Sequence, residues 1–411
     1  MSGGDANALL AEIAGIGADP DRGGYSRPVF SAAELELREW FLGHAAERGL
    51  SIETDGNGII WAWWDVEDPL ARMGDRGGAI LTGSHLDSVP GGGGLDGPLG
   101  VASALAAVDR LRERGVRPVR PLAIAVFPEE EGSRFGLACL GSRLISGEAA
   151  PERVRDLTDE AGISYAEAAL AAGFDPERIG ADAERLSRIA AFVELHVEQG
   201  RGLADLGEPV ALAGAILAHG RWQLRIEGRG DHAGATRMAD RQDPVVVAAA
   251  VIRSLREHAL AVPEARGTVG RIRVVPGGTN VIASSVELWM DVRHRDDETV
   301  RRIVHETVAA ASRAAEEEGC TVAVTEQSFS SAVDFDAGLR DAMREVLPSA
   351  PVLDTGAGHD AGVLAAAIPS GMILVRNPSG ASHTPLESAA PHDIDAGVDA
   401  LARVLERLLT R

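Results

Sequence analysis

Histidines and carboxylates recur in this chain at the ends of apolar runs, with no cysteine among them. In order they are His85, Asp87, Asp96, Glu130, Glu131, His196 and His383. Imidazole and carboxylate donors without thiolate suit Zn, Mn, Co or Ni. A pair of such ions needs a shared ligand, usually a carboxylate, and together they activate a water. Asp96 stands in GGGGLDG, where glycines let the backbone fold tightly, and is placed to bridge. Asp87, two residues after His85, is placed to accept the second imidazole N–H and fix its tautomer. One glutamate of the acidic run would bind metal while its neighbour takes a proton from water. Taken singly, a Gly-rich stretch is a flexible turn and an acidic run a solvated face; their joint occurrence points to a site.

The elements that must position these groups read as strand ends. AILTGS (79–84) runs into His85, PLAIAVF (121–127) into the glutamates, and IAAFVELHVEQG (189–200) carries His196. A helix is expected from about Gly97 to Arg114, and others over 5–15, 31–48, 336–346 and 393–410. EDPLARMGDRGG (67–78) reads as a surface loop, residues 139–187 as mainly helical, and MILVRN (372–377) as a further strand. Apolar strands alternating with helices give a sheet covered on both faces, with chemistry at the carboxyl ends of its strands.

From about 213 the pattern changes. Strands over 215–228, 268–275, 281–293 and 320–327, with helices over 243–261 and 297–318, make βαββαβ, the ferredoxin-like plan. The expected architecture is α/β: a catalytic domain of residues 1–212 and 330–411, interrupted by an inserted α+β domain of residues 213–329. The open sheet of that insert could extend across a dimer by edge pairing.

Bulk properties bound the function. The 411 residues are 45% apolar and 25% charged, with 48 glycines. The formal net charge of −22, from 40 basic and 62 acidic residues, argues against nucleic acid and anionic membrane as partners. Two distant cysteines, Cys139 and Cys320, make no disulfide framework, and no signal peptide is read at the start, so a cytoplasmic location is expected. SGASH lacks the G-x-S-x-G spacing of a serine hydrolase, and neither H-E-x-x-H nor a P-loop occurs.

GSHLDSVPGGGGLDGPLGV, FPEEEGSRFG, ELHVEQG, GDHAGATRM, PGGTNVI, DVRH, GHDAG and SGASHTPLE follow one another along nearly the whole chain. In that order they resemble the motifs of the N-carbamoyl-L-amino acid hydrolase and allantoate amidohydrolase family, a branch of the aminoacylase-type dinuclear metallohydrolases. The resemblance implies a mixed-sheet catalytic domain, a dimerisation or lid insert, and two divalent metal ions per chain. It implies that His85, Asp96 and His196 hold one ion, and Asp96, Glu131 and His383 the other. Glu130 would be the general base, because the family places two acids directly before a glycine, here Gly132. His232, Asn280 and Arg293 of the insert would reach a small ureido or N-acyl amino acid substrate, with Gln199 and Gly358 also lining the pocket. Gly91, Leu95 and Arg237 depart from the family text without removing a ligand. An N-formyl or N-acyl amino acid deacylase, or a dipeptidase, with the same metal site is the alternative activity. A non-catalytic binding protein would be expected to lack ligands, and none is missing.

Overall fold

The computed structural model describes residues 5–66 and 76–410. Most of the expected loop over 67–78 therefore lies outside the described residues. Contacts divide the chain into two compact units, with seams at Gly214/Ala215 and Val333/Asp334.

The first unit is built on a mixed sheet. Its strands lie side by side as Ser51–Thr54, Ile60–Trp64, Leu122–Phe127, Ala79–His85, Ile189–Val197, Ser370–Val375, Val210–Ile216 and the two-residue Val333–Asp334, with Val352–Thr355 also paired to Val210–Ile216. The four middle strands, from Leu122–Phe127 to Ser370–Val375, are parallel. Ile60–Trp64 and Val210–Ile216 flank them antiparallel. Every residue of Ala79–His85, Leu122–Phe127 and Ser370–Val375 is buried, which is why these strands read as unbroken apolar runs instead of alternating ones. In register, His85 lies beside Phe127, and Leu374 beside His196. The polar residues that end these strands are thereby brought to one edge of the sheet.

The helix Pro98–Glu113 starts directly after Asp96-Gly97, and twelve of its sixteen residues are buried. Its proline start needs no N–H partner, and basic Arg110 and Arg112 sit in the last turn, where the helix dipole favours them. It packs with Pro391–Leu409 and with the Ala79–His85 strand, so the loop that carries Asp96 hangs from a buried element. The short strand Ser51–Thr54 and the run Val210–Ile216 escaped the sequence pattern. The first is a four-residue edge strand with no buried residue. The second merges in sequence with the following strand, because apolar residues continue from Ala211 to Ala218 without a turn signal.

The second unit is a four-stranded antiparallel sheet ordered Thr321–Ser330, Ala218–Glu227, Ser285–His294, Arg266–Val275. With helices Pro244–Leu260 and Asp297–Glu318 it has the βαββαβ connectivity of the ferredoxin-like plan. The strict alternation of Ala218–Glu227 explains it: Trp222, Leu224 and Ile226 face the helices while Arg221, Gln223 and Arg225 face outward. The strand expected over 281–293 is broken at Ala283-Ser284 into Val281–Ile282 and Ser285–His294.

The fold makes one direct stability prediction. Leu105, fully buried in the helix that follows Asp96, should cost about 2–5 kcal/mol when replaced by Ala. Leu170, 68% exposed, should cost under about 0.5 kcal/mol in the same urea titration.

Candidate metal centre

Asp96 is the middle of the site. Its Oδ1 faces His196 Nε2 at 3.2 Å and His85 Nε2 at 3.6 Å. Its Oδ2 faces His383 Nε2 at 3.5 Å, and Glu131 Oε2 lies 3.2 Å from that same nitrogen. The two oxygens of one carboxylate thus serve two separate groups of donors. His85/Asp96/His196 and Asp96/Glu131/His383 each offer ligand atoms within 4.8 Å of one another.

The buried imidazoles of His85 and His196 have their tautomers fixed from behind. His85 Nδ1 lies 3.0 Å from the carbonyl of Asp87, and His196 Nδ1 lies 2.9 Å from the carbonyl of Val197. A carbonyl only accepts, so Nδ1 donates in both rings and a neutral ring turns the Nε2 lone pair toward Asp96. The expected role of the Asp87 side chain is corrected here. Its carboxylate stands 3.7 Å from His85 Nδ1 and instead accepts the N–H groups of Glu130 and Glu131, at 3.2 and 3.1 Å. It therefore orients the backbone of the acidic run, while its own carbonyl orients His85.

Glycine is required at position 97. Its φ is +82°, and a Cβ there would come within 2.5 Å of the His85 ring. Three non-glycine residues at the site also take the left-handed backbone region, Glu129 and Cys139 at φ 54° and His383 at φ 57°. Such conformations cost of order 1–3 kcal/mol each and persist where surroundings enforce them. At Glu129 the enforcement is visible: its carboxylate accepts the N–H groups of Arg134 and Phe135.

Glu130 is buried, with Oε2 3.6 Å from His85 Nε2 and Oε1 receiving the Cys139 thiol at 3.4 Å. Burial drives its pKa well above the usual carboxylate range; His85 opposes this, and Asp360, Glu131 and Asp96 reinforce it. Asp96 goes the other way. Burial alone would raise it, but the His196 and His85 rings hold it well below its ordinary value. His383, half-exposed, is raised to about 9 by the Glu131 carboxylate against burial, with Asp96 adding.

These residues fit divalent cations. His85 Nε2, His196 Nε2 and Glu131 Oε1 are buried without a hydrogen-bond partner. Lone pairs that converge with no donor between them are costly unless a proton or a cation sits there. The outer carboxylates have other partners, through both oxygens of Glu194 and through Oδ1 alone of Asp360. Glu194 accepts Ser84 Oγ at 2.8 Å and Ala361 N at 3.0 Å, and Asp360 pairs with Ser142 Oγ at 2.6 Å. A third grouping, Glu194/His196/His359, therefore supports the first two, since both Glu194 oxygens are occupied.

Gln199 donates to Asp96 Oδ2 and to Ser382 Oγ, both at 2.9 Å. Gly358 is exposed just before buried His359, whose ring meets that of His196 edge-on at 4.5 Å. In the second unit, pairing of Val281 with His232 brings Asn280 beside His232, with Ala233 N donating to Asn280 O at 3.0 Å. Arg293 makes a two-pronged pair with Asp291, at 2.7 and 2.9 Å. Arg237 pairs with Asp240 and stays exposed.

The residues that the sequence reading passed over are Glu194, Asp360, Cys139 and Glu387. Glu194 had a signal: two residues before His196 on a strand, it shares that face. Cys139 had none, since only the turn at 128–141, closed by Cys139 N to Glu130 O at 2.6 Å, brings it to Glu130.

The sequence profile of peptidase family M20/M25/M40 matches residues 81–407. The chain belongs to this family. Within the M20/M25/M40 family it is similar to an N-carbamoyl-L-amino acid amidohydrolase of Geobacillus stearothermophilus, 35% identical over 97% of both chains. An allantoate amidohydrolase of Escherichia coli strain K12 is 30% identical over 97% of this chain and 96% of its own. Among solved structures, an amidase of the hydantoinase/carbamoylase family from Burkholderia multivorans superposes with a TM-score of 0.88. It is 28% identical and covers 100% of this chain and 99% of its own.

Metal uptake should be linked to protons. Without a cation, the acids around the imidazoles keep them protonated, and a metal must displace those protons. Apparent affinity for Mn or Zn should therefore rise with pH up to about 9, where His383 loses its proton unaided. Calorimetric titration near pH 7 in buffers of different ionisation enthalpy should show proton release on binding.

Proposed function

We propose that this chain is a dinuclear metal-dependent amidohydrolase that cleaves the linear C–N bond of an N-carbamoyl-L-amino acid or of allantoate. The observation that carries the reading is the division of Asp96: Oδ1 toward His85 and His196, Oδ2 toward His383. A carboxylate so divided is what a bridged pair of cations needs. The named relatives supply the substrate class, small ureido acids.

His85, Asp96 and His196 would hold one divalent ion, and Asp96, Glu131 and His383 the other; Zn, Mn, Co and Ni all suit the donors. Such a pair supplies an acidified water and Lewis-acid pull on the scissile carbonyl. Glu130 takes the proton of the attacking water and passes it to the leaving nitrogen. Burial and the surrounding acids raise its proton affinity, so it can hold that proton between the two transfers. The Cys139 thiol donates to its carboxylate, and the Asp87 carboxylate holds the Glu130 backbone N–H. His232 stabilises the developing oxyanion, Arg293 and Asn280 take the substrate carboxylate, and Gln199 and Gly358 line the pocket. A carbamoyl substrate then yields the amino acid, ammonia and carbon dioxide.

The protein works in the cytoplasm, where its two unpaired cysteines remain thiols. Among the described residues no helix is long and apolar enough to cross a membrane. Two copies associate through the second unit, whose edge strand Arg266–Val275 is exposed along most of its length. Light scattering should then report twice the chain mass of 42.9 kDa.

The decisive assay is a panel of N-carbamoyl, N-formyl and N-acetyl L-amino acids and allantoate, run after loading separately with Zn, Mn, Co and Ni. Turnover of a carbamoyl amino acid or allantoate is expected; turnover confined to formyl or acetyl compounds would show a deacylase instead. Glu130→Gln should lower kcat by about 10²–10⁴-fold while elemental analysis still finds two metals per chain.

A further inference from the structure

We propose that Glu387 is a positioning residue that locks the Asp96 loop to the His383 loop and so sets the affinity of the more exposed metal position. The inference rests on the dinuclear reading above and adds a residue that binds no metal itself.

Glu387 lies in an exposed turn, yet its own side chain points inward. Leu386 and Ser388 on either side are exposed, while Glu387 is 9% exposed. Its Oε1 accepts Leu95 N at 2.8 Å and Asp96 N at 3.0 Å. A buried carboxylate is tolerated when N–H groups meet it, and here those N–H groups belong to the bridging aspartate and its neighbour. The fit is close. A Cβ on Gly93 would come within 2.2 Å of Glu387 Oε1, so the glycine loop is wrapped around this carboxylate.

The other end of the tether is His383. It stands four residues earlier, in a turn closed by Glu387 N donating to Thr384 O at 3.1 Å. His85 and His196 are buried and fixed by carbonyls behind them, whereas the His383 side chain is 50% exposed, and its backbone sits at φ 57°. The position of His383 therefore depends on what holds its loop. Glu387 joins that loop to the backbone of Asp96, from the opposite end of the sequence. Outer contacts of this kind are worth about 10–100-fold in metal affinity.

The test is metal binding, read independently of turnover. Metal-free wild type and variants would be titrated calorimetrically with Mn²⁺ and with Zn²⁺, and metal content would be counted after dialysis. Wild type should take two ions. Glu387→Ala should keep one ion near wild-type affinity and bind the second about 10–100-fold more weakly. Glu387→Gln, whose amide oxygen still accepts the two N–H groups, should fall within a few-fold of wild type. Gly93→Ala should reproduce the Glu387→Ala loss by expelling the carboxylate. Both ions bound at wild-type affinity by Glu387→Ala, or a Glu387→Gln loss as large as that of Glu387→Ala, would overturn the proposal. A wild-type chain that takes up fewer than two ions would overturn the dinuclear reading itself, and the tether with it.

Discussion

One carboxylate shared between two groups of donors sets the terms for the rest of the first unit. Asp96 can face His85 and His196 with one oxygen and His383 with the other only if three distant parts of the chain meet at its loop. The four parallel strands bring two of those parts to one edge, since parallel register puts the ends of Ala79–His85 and Ile189–Val197 on the same side. The crossover helix Pro98–Glu113 fixes the loop itself. Gly97 lets that loop pass against the His85 ring, and Glu387 fills the space beneath it.

The price of this arrangement is a concentration of buried acid. Asp87, Asp96, Glu129, Glu130, Glu194, Asp360 and Glu387 are all buried in this region. Backbone N–H groups, hydroxyls and imidazoles satisfy several of them. Burial and mutual repulsion still push Asp360 and Glu129 to about 8. A divalent cation pair removes much of that repulsion, so the centre is expected to be more stable loaded than empty. The same field gives Glu130 its raised proton affinity, and structural cost and chemical use have one origin.

Much of this was legible in the sequence because the ligands end apolar runs. His85 closes a fully buried strand, Glu130 and Glu131 follow another, and His196 nearly ends a third. The βαββαβ order of the second unit was legible because Ala218–Glu227 and Ser285–His294 alternate cleanly. What escaped was whatever depends on side chains meeting across long separations. Nothing local marks Glu387 as the partner of Leu95, nearly three hundred residues earlier, since a glutamate in an exposed turn reads as solvated. Asp87 escaped in another way. Its spacing from His85 was informative, but spacing does not distinguish a carboxylate from its own backbone carbonyl, and the carbonyl makes the bond.

The central claim is that these converging lone pairs exist to hold two cations about one aspartate. Anomalous diffraction from crystals of the Mn- or Zn-loaded protein, recorded on both sides of the metal's absorption edge, tests this most directly. Two peaks are predicted, one among His85, Asp96 and His196 and one among Asp96, Glu131 and His383, with Asp96 in contact with both. A fully loaded crystal with a single peak, or with peaks that do not share Asp96, would contradict the account.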